Sequence, residues 1–211
     1  MLSGIEVLCH NSIRIAKDKI IYVDPYKINK EYKDADIIFC THSHYDHFSP
    51  EDIKKVRKED TVIVTTKDCL KKAKQLGFYA KNIMTVEPNK KYEILGIEVE
   101  TVPAYNLETE YHNQVDNWVG YVIEINDITY YIAGDTDLVP EIKSVNCDVA
   151  FLPVGGTYTM TAKDAAKLAN IIEPQIVIPT HYGKIVGTKE DAQNFKKELN
   201  EDIECVILIE E

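Results

Sequence analysis

The sequence is poor in the features that mark secreted, membrane-spanning or nucleic-acid-binding chains. Five cysteines, Cys9, Cys40, Cys69, Cys147 and Cys205, are scattered, odd in number and form no C-x-x-C pair. A disulfide framework is thereby disfavoured, and buried free thiols in a cytoplasmic protein are expected. No apolar run approaches the ~20 residues that span a bilayer, so no membrane partner is expected. The opening residues MLSGIEVLCHNSI have no basic stretch leading into an apolar core, and no secretory signal is read there. Lys plus Arg number 24 against 35 Asp plus Glu, a formal net charge of −11. Nucleic acids and anionic membrane surfaces attract the opposite balance. Nine glycines and eight prolines are dispersed between periodic segments, and nothing resembles a linker.

What is present suits one globular domain over residues 1–211. Apolar residues make up 45% and charged residues 28%, an ordinary globular balance. A chain of this length hides roughly 70% of its unfolded surface.

Strand-like runs come first: Ile5–Leu8, Ser12–Ala16, Ile20–Val23 and the short apolar run Asp36–Cys40. Ser49-Pro50-Glu51-Asp52 reads as a helix start, with Ser as cap and Pro at the first helical position. Thr61–Thr65 predicts a buried strand, and 67–76 a helix closed by Gly77. Further strands are expected over 83–86, 92–95, 97–102, 118–125 and 128–133. Asn126-Asp127 supplies the hairpin turn between the last two. The remainder alternates: strand 149–154, helix 161–172, strand 175–179, helix 189–199 and closing strand 205–209. This order fits an α/β four-layer αββα sandwich of two mixed β-sheets. Asp36–His42 (DIIFCTH) and Gln175–His181 (QIVIPTH) echo each other, which suggests duplication.

Residues 41–47 read Thr-His-Ser-His-Tyr-Asp-His, with half of the chain's six histidines inside the segment. It follows a buried strand, at a sheet's carboxyl edge, where ligand sites concentrate. In an extended backbone, residues 42, 44 and 46 would share one face and His47 another. That arrangement suits two adjacent metals, His42 and His44 on one, Asp46 and His47 on the other. Imidazole with carboxylate suits Zn²⁺, Mn²⁺, Fe or Ni²⁺. Gly134-Asp135-Thr136-Asp137 and Pro179-Thr180-His181-Tyr182-Gly183 each end a strand and add Asp135 and His181. Alone, Asp135 reads better as a turn or helix-cap residue and His181 as a surface or hydrogen-bonded histidine; it is their combination with 41–47 that points to metal.

Taken in order, these motifs resemble the metallo-β-lactamase superfamily of metal-dependent hydrolases. His42, His44, Asp46 and His47 match its H-x-H-x-D-H signature. The closer likeness is to small hydrolases related to ascorbate-6-phosphate lactonase, through His10-Asn11-Ser12, Asp24-Pro25-Tyr26, Pro103-Ala104-Tyr105-Asn106, Gly134–Asp137 and Pro153–Met160. The resemblance implies two divalent ions, Zn²⁺ first among the candidates. His42 and His44 would bind the first, Asp46, His47 and His181 the second, and Asp135 would bridge. The superfamily's third histidine for the first ion is missing at 103–106, and His112, six residues on, is read as its replacement. Asn106 or a water is the alternative.

The implied reaction is attack of a metal-bound hydroxide on a small-molecule ester, lactone or phosphodiester, with His42, His44 and Asp46 as the catalytic group. The partner would be a small molecule, anionic or phosphorylated in the reading the resemblance favours. Substrate contacts fall to His10, Asn106, Thr157, Tyr158 and Tyr182. For His10 a structural role, and for 155–159 a plain turn, are the competing readings. Asp24 is either a turn residue or a partner that orients a ligand imidazole. A nuclease of the same superfamily, or a non-catalytic metal-binding module, are the alternatives; homo-oligomerisation is compatible with the sequence.

Overall fold

A computed structural model describes residues 1–209. The chain divides into two compact units, Leu2–Glu87 and, together with Met1, Pro88 onward. Among the described residues, one sheet of six strands lies in the first unit and one of seven in the second.

The first unit runs β1 (Ile5–Cys9), β2 (Ser12–Ala16), β3 (Ile20–Val23), β4 (Ala35–Phe39), α1 (Pro50–Val56), β5 (Arg57–Thr66), α2 (Leu70–Gln75) and β6 (Ile83–Val86). Spatial order follows sequence order. β1–β3 pair antiparallel, and β3–β6 pair parallel. β4 is therefore an interior parallel strand, which explains its continuous apolar run. The Ser49 side chain accepts from the Asp52 amide and caps α1, as its sequence predicts. Tyr22, Ile38, Phe48, Ile53, Ile63 and Phe78 pack into one buried cluster. The segment over 67–76 begins as a 3-10 turn, Lys67–Cys69, before α2. Gly77 follows at φ +81°, the left-handed value a helix terminus needs.

The second unit runs β7 (Lys90–Ile94), β8 (Ile97–Pro103), β9 (Val119–Ile125), β10 (Ile128–Ile132), β11 (Val149–Pro153), α3 (Ala162–Ile172), β12 (Ile176–Thr180), α4 (Lys189–Lys197) and β13 (Glu204–Cys205). β7–β10 form an antiparallel meander, and β10–β13 pair parallel. Every residue of β11 and β12 is buried. Asn126 and Asp127 both adopt positive φ, +54° and +59°, which fits the tight turn between β9 and β10. The closing strand is shorter than its apolar run suggests. Only Glu204 and Cys205 pair in register with β12, and Val206 adds one amide bond to Val177 O at 3.0 Å.

Gly120 sits where β9 passes the exit of β10. A Cβ there would lie 2.7 Å from Ala133 O and 2.8 Å from Ile132 O. Those carbonyls belong to the backbone that leads to Gly134-Asp135, so they cannot yield without moving the strand end. Gly120→Ala is expected to destabilise the fold by about 1–3 kcal/mol, read as a lower urea midpoint. An unchanged midpoint would show that β10 can shift freely.

Candidate metal centre

In the first unit the histidine-rich segment leaves β4 and turns at once. The amides of His47 and Phe48 both reach His44 O, at 3.1 and 2.7 Å. Two amides on one carbonyl close a tight turn, so the extended backbone expected for 42–47 does not form. The separation of His47 from His42 and His44 falls with it. Instead His42 Nε2 lies 3.1 Å from His44 Nδ1, and the His42 and His47 rings stand 4.0 Å apart. Asp46 Oδ2 lies 3.4 Å from His47 Nε2 and 3.6 Å from His10 Nε2. His10, His42, Asp46 and His47 are buried, and His44 is half-buried.

Asp24 organises this cluster from beneath. Its buried carboxylate accepts from Asn11 Nδ2 (2.7 Å), the Thr41 amide (2.8 Å) and Thr41 Oγ1 (2.8 Å), and it meets His47 Nδ1 at 2.7 Å. A carboxylate only accepts, so His47 carries its proton on Nδ1. Thr41 Oγ1 gives its single proton to the charged oxygen and lies 3.0 Å from His42 Nδ1. It must therefore accept there, which places the His42 proton on Nδ1 too. Asp24 thus sets two imidazoles, one directly and one through a hydroxyl. Both turn Nε2 toward the cluster. Thr41 and Asn11 escaped sequence reasoning, although Thr41 opens the echoed Thr-His pair.

The second unit gathers His112, Asp135 and His181. Asp135 follows β10, and its Oδ2 lies 3.3 Å from His112 Nε2 and 3.0 Å from His181 Nε2. All three are buried. His181 follows β12 at φ +58°. Gly155 makes room for that backbone, since a Cβ there would lie 2.4 Å from His181 O. Asn106 does not point to open space. Its Nδ2 donates to Asp137 Oδ1 (3.1 Å) and Tyr158 O (2.8 Å). Its Oδ1 accepts from Thr109 Oγ1 (2.8 Å) and meets His112 Nδ1 at 2.8 Å. The amide has no valence left for substrate or metal, which places Asn106 behind His112 rather than among the substrate contacts. Tyr158 is half-buried, with its ring 6.5 Å from His112 and 4.6 Å from the exposed Tyr111. Tyr182 is buried, while Thr157 and Lys184 are exposed.

Four of these residues hold left-handed backbones: His10 (φ +56°), Asp24 (+45°), Tyr158 (+66°) and His181 (+58°). Such conformations cost a non-glycine residue energy and concentrate at functional sites.

The donors fit divalent metal. In the first unit His47 Nε2, opposite the pinned Nδ1–H, lies 3.4 Å from a carboxylate oxygen, so a divalent cation there would meet an imidazole and a carboxylate together. In the second, one carboxylate oxygen serves two imidazole nitrogens. Neutral imidazoles pinned at Nδ1 by a carboxylate or a carboxylate-backed hydroxyl are the usual form of a metal-ligating histidine. Cys40 adjoins the cluster but offers no nucleophile, because burial pushes its thiol well above its ordinary pKa and nearby Asp24 adds to the shift. Among the described residues no helix is long and apolar enough to cross a membrane.

The chain matches the family model of the β-lactamase superfamily domain over residues 4–181. A metal-dependent hydrolase of Thermococcus kodakarensis is 30% identical to it, across 97% of this chain and 95% of the relative. A solved protein of Parabacteroides distasonis, described as a metal-dependent hydrolase, is 33% identical with a TM-score of 0.81, covering 97% of this chain and 91% of its own. A metallo hydrolase of Ignicoccus hospitalis shares the fold at 19% identity, with a TM-score of 0.76 and coverage of 98% and 95%.

Proposed function

The chain belongs to the β-lactamase superfamily and is a metal-dependent hydrolase, and from that premise we propose that it cleaves a small ester, lactone or phosphodiester at a dinuclear centre. The proposed ligands are His42, His44, Asp46 and His47 with His112, Asp135 and His181, and Zn²⁺ is the ion proposed. The observation that carries this reading is the shared orientation of His42 and His47, both held at Nδ1 so that Nε2 is the donor. The family match runs from 4 to 181 and takes in both ligand sets, which supports a single catalytic domain.

Bound divalent ions would supply Lewis acidity and a water of lowered pKa, hence a nucleophile near neutral pH. The remaining work falls to this chain's own residues. Asp46, between His10 Nε2 and His47 Nε2, is placed to accept a proton on its carboxylate and to hold the attacking water in line. Asp135 Oδ2, 3.3 and 3.0 Å from the Nε2 atoms of His112 and His181, would join them as a donor to metal. Tyr158, stacked edge-on with Tyr111, offers an aromatic wall beside His112 for the substrate's apolar part. Thr157 and Tyr182 add hydroxyls. No Lys or Arg occurs between Lys91 and Lys143, so the loop bearing His112 lacks the charge a nucleic acid would need.

The test is metal content by plasma mass spectrometry on protein purified without chelator or affinity metal, followed by turnover of generic esters, lactones and phosphodiesters. About two ions per chain and turnover lost to chelator and regained with Zn²⁺ are expected. A single ion at saturation would overturn the dinuclear reading, and turnover that persists without metal would overturn the mechanism.

A further inference from the structure

The superfamily's third histidine is absent after β8, yet an imidazole reaches the Asp135 carboxylate from the loop beyond it. We infer that Asn106, itself held by Asp137 and the Tyr158 carbonyl, fixes His112 in its Nδ1–H tautomer and so delivers Nε2 as a donor. The delivery to metal rests on the dinuclear reading above, whereas the tautomer does not.

The argument is one of donor and acceptor counting. An asparagine amide has two N–H donors and one oxygen with two lone pairs. Here both N–H groups face atoms that can only accept, Asp137 Oδ1 at 3.1 Å and Tyr158 O at 2.8 Å. A flipped amide would set its oxygen against both, so its orientation is fixed by chemistry. The oxygen must then face Thr109 Oγ1 and His112 Nδ1, each at 2.8 Å. A neutral imidazole can bond to that oxygen only by donating from Nδ1, which leaves the lone pair on Nε2. Nε2 is the atom 3.3 Å from Asp135 Oδ2.

Asp137 anchors the device. Its Oδ1 takes the Asn106 side chain, and its Oδ2 accepts the Leu107 amide at 2.8 Å. The Asp137 amide bonds back to Tyr105 O at 2.9 Å, and the Asn106 amide closes the loop on His112 O at 2.8 Å. Asp137 and Asn106 are therefore positioning residues, and a loop histidine gains the constraint that a strand end would otherwise give.

The experiment is long-range ¹H–¹⁵N correlation on ¹⁵N-histidine protein freed of metal, with His112→Gln supplying the assignment. His112 is expected as the Nδ1–H tautomer. In Asn106→Ala it should shift to the Nε2–H form or a mixture, and affinity for Zn²⁺ should fall about 10- to 100-fold. Asn106→Asp keeps an acceptor facing His112 Nδ1 and should hold the Nδ1–H form, at a cost in thermal midpoint because its second oxygen opposes Asp137 Oδ1 and Tyr158 O. A proton on Nε2 in the parent, or an Nδ1–H form unchanged in Asn106→Ala, would overturn the inference. So would Asn106→Ala binding Zn²⁺ as tightly as a metal-binding parent. A parent that binds no metal would end the dinuclear reading, with the tautomer still decided by the parent spectrum alone.

Discussion

Asp135→Ala is expected to remove at least one of the two proposed ions and to bring turnover down to that of buffer. Its Oδ2 lies near both His112 Nε2 and His181 Nε2, at 3.3 and 3.0 Å. Removing it takes away a negative charge as well as a shared donor. The two imidazoles then lose the carboxylate that would share a metal with them, and no other carboxylate of that motif can substitute, because Asp137 is committed to Asn106 and Leu107. Asp135→Asn tests charge apart from shape and should fail almost as badly, since a neutral amide binds divalent metal poorly. The fold should survive, because the carboxylate lies at a strand exit and not inside a core. The measurements are metal content, kcat/KM and a thermal midpoint taken together. Two ions and turnover within about tenfold of the parent would remove Asp135 from the centre.

Asp24→Ala is expected to damage both folding and metal binding. The carboxylate is fully buried and serves Asn11, the Thr41 amide, the Thr41 hydroxyl and His47. Truncation strands these donors in the interior, at a cost of about 2–4 kcal/mol. It also frees the tautomers of His42 and His47, and Zn²⁺ affinity should fall about 10- to 100-fold. Asp24→Asn separates the two effects. Its oxygen can still receive the Thr41 amide, while its NH₂ group faces donors. Denaturant unfolding and metal titration on the three proteins read both quantities. Parent-like metal affinity in a folded Asp24→Ala would mean that the imidazoles orient themselves.

The proposed ligands stand out in the sequence because metal chemistry uses few residue types, and residues 41–47 crowd four candidates together. The strands were legible where both faces are covered: β4, β11 and β12 each read as one apolar run. Their edges were less so. β5 begins at Arg57, where Arg-Lys-Glu-Asp shows no apolar period, and α1 runs straight into it. The turn at 44–48 was missed because two amides meeting one carbonyl leave no mark in side-chain alternation. The orienting residues were hidden by distance along the chain. Asp24 meets partners 13, 17 and 23 residues away, and Asn106 meets Asp137 and Tyr158 at 31 and 52. Asn106 looked like a candidate ligand for the same reason. Only the four filled valences of its amide reveal that it works on His112.

The left-handed backbones at His10, Tyr158 and His181 bear on how this protein would respond to selection for heat resistance. Glycine relieves such a conformation, which costs an ordinary residue roughly 1–2 kcal/mol. At half-buried Tyr158 the relieving substitution deletes an aromatic wall, whereas at buried His10 and His181 the cavity left by the imidazole outweighs the relief. A library screened for survival at high temperature alone would drift toward losing that wall, and one screened for turnover would keep the strain.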